Sequence, residues 1–188
     1  MAQHHGDTPL VLYLDDLEDD LDPSYDGDAA DGTAIIGFDD GPVPPFFLRA
    51  ANGVVVDSRA LVGREPFVVV FFATRCPVCS IKLALVSHVL REAGPIRTLW
   101  VHAGACHQAS RAMSFLGNYD VTTPVIDAYE HPLFAFAYNP FRGVPVVAVV
   151  GRGGGLIEYQ LGLEANDPAR LARAIDFARR EPPAEAFR

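Results

Sequence analysis

Residues 67–80 read FVVVFFATRCPVCS, an unbroken apolar run to Ala73 followed by two cysteines with two residues between them. A continuous β-branched and aromatic run of this length suits a strand buried on both faces. From Pro77 to about Arg91, Ile81, Leu85, Val89 and Leu83, Val86, Leu90 recur at helical spacing, and Gly94-Pro95 ends the segment. Cys76 therefore falls where a buried strand gives way to a helix.

That position has chemical consequences. The first-turn N–H groups of a helix lack internal partners and its macrodipole is positive there, so a thiolate is stabilised. Cysteines so placed have pKa values lowered from about 8.5 to as little as roughly 3.5. Pro77 at the first helical position removes no needed hydrogen bond, which leaves the amides of Val78 and Cys79 to face the sulfur. Arg75 adds a cation beside it, and Lys82 adds another at longer range. Cys79 lies on the same side of the first turn, so Cys76 is expected to attack a disulfide and Cys79 to resolve the mixed disulfide. Two other readings stay open. The pair could be buried, unreactive thiols, or part of a metal site completed by Cys106-His107 with His102 nearby.

Working outward, Phe46–Arg49 and Val54–Val56 read as a hairpin turning at Asn52-Gly53. After the first helix come a strand at 96–101, a helix at about 108–116, a short strand at 124–127 and a short aromatic helix at 131–138. Strands at 144–150 and 156–161 follow, and Asp167 is expected to cap a last helix reaching about Arg180. The order β-α-β-α-β-α-β-β-α after a hairpin predicts an α/β domain with a central mixed sheet and helices on both faces. Phe134, Phe136, Tyr138 and Phe141 are expected in its core and rim. His102, His107 and His131 are assigned no role, and Cys106 is read as a helix-start cysteine.

The charge of −9 is unevenly spread. Residues 1–40 hold twelve acids and no Lys or Arg, leaving twelve acids against fifteen Lys and Arg, a balance of +3, in residues 41–188. The predicted organisation is an acidic, largely irregular arm (1–40) attached to a mildly basic domain (41–188). Such an arm repels nucleic acid. Within it, Asp22–Thr33 approaches a calcium loop but has Thr33 where a bidentate Glu belongs, so a solvated acidic segment is expected. No apolar run reaches the roughly 18 residues of a membrane-spanning helix. Met1–Leu14 lacks Lys and Arg, so no secretory signal is expected and the protein reads as soluble and cytoplasmic.

Phe71-Phe-Ala-Thr-Arg-Cys-Pro-Val-Cys resembles the F-W-A-T-W-C-x-x-C signature of TlpA-like, redoxin-type thiol-disulfide oxidoreductases in the thioredoxin superfamily. Pro44-Pro-Phe-Phe-Leu with Asn52-Gly53 is similar to the hairpin entering such domains, and Arg142–Gly154 to their G-x-P strand and turn. The resemblance runs from about Gly41 to Arg180. It implies a thioredoxin-like fold, a cis Val144–Pro145 peptide packed on the cysteine pair, and Val144 backbone groups pairing with an extended substrate. It also implies a protein disulfide or dithiol substrate, a redox partner protein and no cofactor.

Three positions depart from the family pattern. Arg75 replaces the usual Trp, Lys82 stands where many members carry an acidic residue, and Val70 where thioredoxins bury an Asp. With two cations and no carboxylate, an unusually acidic Cys76 and an oxidising disulfide are expected. The site as read from sequence is Cys76 and Cys79 for catalysis, Val144 and Pro145 for substrate, and Arg75, Val78 and Lys82 supporting the thiolate, with no resident metal. A peroxiredoxin-like peroxidase is the rival enzyme, but its motif places Thr three residues before the cysteine, and Thr74 is two before Cys76. A non-catalytic binding or metal-delivery module is the alternative outside enzymes.

Overall fold

A computed structural model describes residues 45–104 and 109–182. The acidic arm with its calcium-loop candidate, and Cys106-His107, lie outside the described residues. The elements are β1 (Phe47–Arg49), β2 (Val55–Asp57), β3 (Phe67–Phe72), α1 (Pro77–Ala93), β4 (Arg97–His102), α2 (Ala109–Gly117), β5 (Val125–Asp127), α3 (Pro132–Tyr138), β6 (Val146–Val150), β7 (Leu156–Leu161) and α4 (Asp167–Arg180). Single 3-10 turns at Ser58–Ala60 and Ala128–Glu130, which the periodicity does not reveal, are each capped by an aspartate, Asp57 and Asp127.

Five strands form one mixed sheet in the order β5-β4-β3-β6-β7, and β1 and β2 form a separate antiparallel hairpin. This is the thioredoxin-like fold expected from the sequence. Strands β3, β4 and β5 run parallel, whereas β6 and β7 are antiparallel to their neighbours. All six residues of β3 are fully buried because alternate side chains enter two different cores. Val68, Val70 and Phe72 pack with residues of α1, α2 and α4. Phe67, Val69 and Phe71 pack with α3 and the hairpin, through Phe46, Leu48, Phe134 and Tyr138.

The hairpin turns where Asn52-Gly53 predicts. Gly53 has φ +84°, a conformation costly for residues with a Cβ, and Asn52 Oδ1 accepts a hydrogen bond from Val54 N. Both hairpin strands begin one residue later than the pattern suggests. Beyond β1, Ala50 bridges Ile126 and Ala51 N donates to Val125 O, tying the hairpin to the edge of β5.

Two boundaries need correction. Strand β6 begins at Val146 rather than Val144, because Val144–Pro145 forms a cis peptide ahead of the ladder. Asp167 is not the cap of α4. Asn166 holds that position without a side-chain bond, and the Asp167 carboxylate turns inward.

Candidate active site

Topology brings two distant segments to one end of the sheet. The β3 chain leaves its C-terminal end toward Ala73–Cys76. Antiparallel β6 starts at that same end, with Val146 opposite Phe71. Pro145 and Val144 are therefore delivered beside the start of α1. Cys76 Sγ lies 3.9 Å from the Val144 carbonyl oxygen, across 68 residues of sequence.

Cys76 is the N-cap of α1, with extended backbone (φ −96°, ψ 109°), and Pro77 follows at the first helical position. Its sulfur accepts a hydrogen bond from Cys79 N at 3.1 Å, so Cys79, rather than Val78, supplies the amide. Cys76 and Cys79 are joined as a disulfide with their Cα atoms 5.2 Å apart. The two sulfurs differ in environment: Cys76 is half-buried, whereas Cys79 is fully buried in the α1–α4 core. An attacking group from outside can reach only the first of them without disturbing the fold.

The cis-Pro loop is held by Asn139, a buried residue that sequence reading did not single out. Its side-chain Nδ2 donates to Gly143 O at 2.8 Å, and its carbonyl accepts from Arg142 N at 3.0 Å. Arg142 adopts φ +49°, uncommon for a residue with a side chain. A Cβ at Gly143 would stand 2.7 Å from Leu161 Cδ1, so glycine allows β7 to close against this loop.

The two cations read from the sequence occupy opposite settings. Arg75 is exposed beside Cys76. Lys82 is buried, and its Nζ donates to Asp167 Oδ2 at 2.5 Å and to Gln160 Oε1 at 2.8 Å. Asp167 Oδ2 also accepts from Glu164 N, and Gln160 donates to the Asp167 carbonyl. Desolvation pushes the Lys82 pKa below the usual lysine range, opposed by the Asp167 carboxylate. Lys82 is three residues beyond Cys79, on the same inner face of α1, so the floor of the site does contain a carboxylate. It comes from α4 rather than from the positions where the family places one.

His102, considered as a metal ligand, ends β4 fully buried, with its ring 5.6 Å from that of Phe72 and neither nitrogen hydrogen-bonded among the described residues. Burial lowers its pKa, against the opposing pull of Asp127. His131 is elsewhere, its Nε2 within hydrogen-bond distance of the Arg49 backbone. Among the described residues no group of three His, Cys, Asp or Glu side chains is placed to hold a metal ion. Nor is any helix long and apolar enough to cross a membrane.

The mixed sheet, the cysteine pair at a helix N-terminus and the facing cis-proline together define a protein of thioredoxin-like fold. Solved structures with this architecture include a thioredoxin-family thiol:disulfide interchange protein from Chlorobium tepidum, at 21% identity and TM-score 0.59, covering 73% of this chain and 95% of that one. A thio-disulfide isomerase from Thermus thermophilus is 22% identical with TM-score 0.58, covering 73% and 94% of the two chains. A secreted disulfide oxidoreductase from Mycobacterium tuberculosis is 18% identical with TM-score 0.57, covering 70% and 95%. No protein-family model and no curated protein matches the sequence.

Proposed function

We propose that this protein is a thiol-disulfide oxidoreductase acting on protein substrates through Cys76 and Cys79. The observation that carries this reading is the asymmetric pair: a disulfide at the first turn of α1 whose outer sulfur is accessible beside the Val144 carbonyl and whose inner sulfur is sealed. Similarity to interchange proteins of the same fold supports it.

In the reducing direction the Cys76 thiolate attacks one sulfur of a substrate disulfide. The other substrate sulfur leaves as a thiolate and takes up a proton. Cys79, once deprotonated, attacks Cys76 Sγ in the mixed disulfide and expels the second substrate thiolate. Two electrons and two protons have then passed to the substrate, and the enzyme holds the Cys76–Cys79 disulfide. A partner dithiol restores the reduced pair; run backward, the same steps oxidise a substrate. During the mixed-disulfide stage, Val144 backbone groups hold the substrate segment in extended pairing, and Pro145 keeps that edge facing the sulfur. Arg75 and the first-turn amide of Cys79 favour the thiolate.

The reduction potential of the pair, equilibrated in glutathione buffers, tests the reading. A value near roughly −270 mV marks a reductase, and one between about −180 and −120 mV marks an oxidant or isomerase. A pair that never forms the disulfide in these buffers removes the reading altogether.

A further inference from the structure

The charge around the cysteine pair is unbalanced in one direction. The segment that carries the cysteines, residues 66–91, and the one that carries the cis-proline, residues 131–157, contain no Asp or Glu, the nearest acids in sequence being Glu65, Glu92, Glu130 and Glu158. Arg75 and Arg142 are both exposed there and make no ion pair among the described residues. Arg75 directly precedes Cys76, and Arg142 is two residues from Val144, whose carbonyl lies 3.9 Å from the Cys76 sulfur. The end of β7 closes one wall, with Gly162 N donating to Pro145 O. The acids just beyond it are already paired, Glu164 with Arg170 at 3.0 Å and Asp167 with Lys82 at 2.5 Å. Asp127, at the C-terminal end of β5 and so at the same end of the sheet, is buried and caps its own turn through Tyr129 N, and Glu130 follows it exposed. Arg75 and Arg142 are thus left without an acidic partner among the described residues.

Apolar side chains stand exposed around the same opening. Val78 and Ile81, neighbours on one face of α1, are 41% and 55% exposed, and Phe141 beside Arg142 is 53% exposed. A helix start and a loop are ordinarily lined with polar groups at such positions, and no described residue covers these three.

We propose that the mouth selects an extended protein segment whose cysteine is flanked by acidic side chains, with an apolar neighbour laid against Val78, Ile81 and Phe141. The inference rests on the exchange reading above and names its substrate class. Charge complementarity supplies the acidic preference. The exposed apolar rim argues for a polypeptide over a small anionic disulfide, which has nothing to cover it.

The test uses reduced full-length protein, recycled with dithiothreitol, and disulfide-linked peptides that differ only in carrying Asp, Ser or Lys beside the cysteine, with oxidised glutathione as the small anion. At low ionic strength kcat/KM for the Asp peptide is expected to exceed that for the Lys peptide about fivefold, with the gap closing as salt rises. Arg142→Gln is expected to narrow that ratio. Ile81→Ser is expected to slow peptides with an apolar neighbour relative to those with Ser there. Equal rates for Asp and Lys peptides at low salt overturn the proposal and leave exchange activity standing. Glutathione disulfide turned over as efficiently as the Asp peptide overturns the choice of a protein segment. Turnover of none of these disulfides removes the exchange reading, and the proposal with it.

Discussion

The outer and inner halves of the cysteine site are built from the same helix turn yet obey different electrostatics. Outside, Cys76 is half-buried and its neighbouring cations, Arg75 and Arg142, are exposed and make no ion pair among the described residues. Inside, Cys79 is sealed, and Lys82 is matched by Asp167 and Gln160. Sequence places Arg75 and Lys82 together as two positive charges serving one thiolate. In space Arg75 remains a screened surface cation, while Lys82 belongs to a neutral buried pair. The lesson is that a charged residue near a site acts there only to the extent that no partner claims it, and partners come from elsewhere in the chain.

The largest effects should separate the two sulfurs. Cys76→Ser is expected to lower turnover by roughly 10³-fold or more, as loss of an attacking group does. Cys79→Ser should instead accumulate a mixed disulfide with substrate, visible as a mass adduct. An adduct on Cys79 in the Cys76→Ser protein would break the assignment of outer and inner roles.

Next comes the buried pair. Lys82→Met leaves the Asp167 carboxylate without its counter-ion in a closed core, a change that costs about 3–5 kcal/mol. Urea denaturation of the oxidised protein measures it. The double variant Lys82→Met, Asp167→Leu should recover much of the loss, since an apolar pair of similar volume is often no worse than a buried ion pair. Equal destabilisation by the single and double variants would show that the partnership is not what matters.

His102 sharpens the contrast, being buried near the same end without an ion-pair partner among the described residues. Its folded pKa is held below the ordinary 6.5 mainly by desolvation. The contribution is therefore fully present above pH 6.5 and is lost as pH falls through the lowered folded value, because the unfolded chain takes up the proton first. His102→Gln should show a flatter decline of stability below pH 6.5 than the wild type, read as midpoint against pH.

The smallest effect belongs to the exposed cation. Arg75→Gln should slow alkylation of reduced Cys76 at neutral pH by about twofold, and added salt should erase the difference. A large, salt-resistant loss would mean that Arg75 is not the screened surface group described above.

Much of the frame was legible because it is written locally. The β3 run, the strand–CPVC–helix junction and the alternation of elements each depend on residues close in sequence, and the hairpin turn followed from Asn52-Gly53. The cis peptide came from a resemblance, since nothing in the residues alone distinguishes cis from trans. What escaped is non-local. Lys82 and Asp167 are 85 residues apart, so their pairing has no sequence signature, and Asp167 before a helix reads most simply as a cap. Asn139 reads as a turn residue, and its grip on Gly143 O depends on how the loop folds back. Strand ends slipped by one or two residues where the chain turns out of the ladder.

The hairpin's attachment to β5 reaches beyond the site. An unpaired sheet margin is a template on which a second chain can add, and a protein keeps from assembling by blunting such margins. Ala50 and Ala51 occupy part of the β5 margin through their bridge to Ile126 and the bond to Val125 O. At the opposite margin, β7 breaks its register against β6 between Val149 and Val150, and it bears the charge of Glu158, bound to Arg170. A bulge and a charge both discourage a further strand. The sheet is thus guarded on one side by covering and on the other by irregularity, so neither margin offers a long regular template on which a fibre could grow.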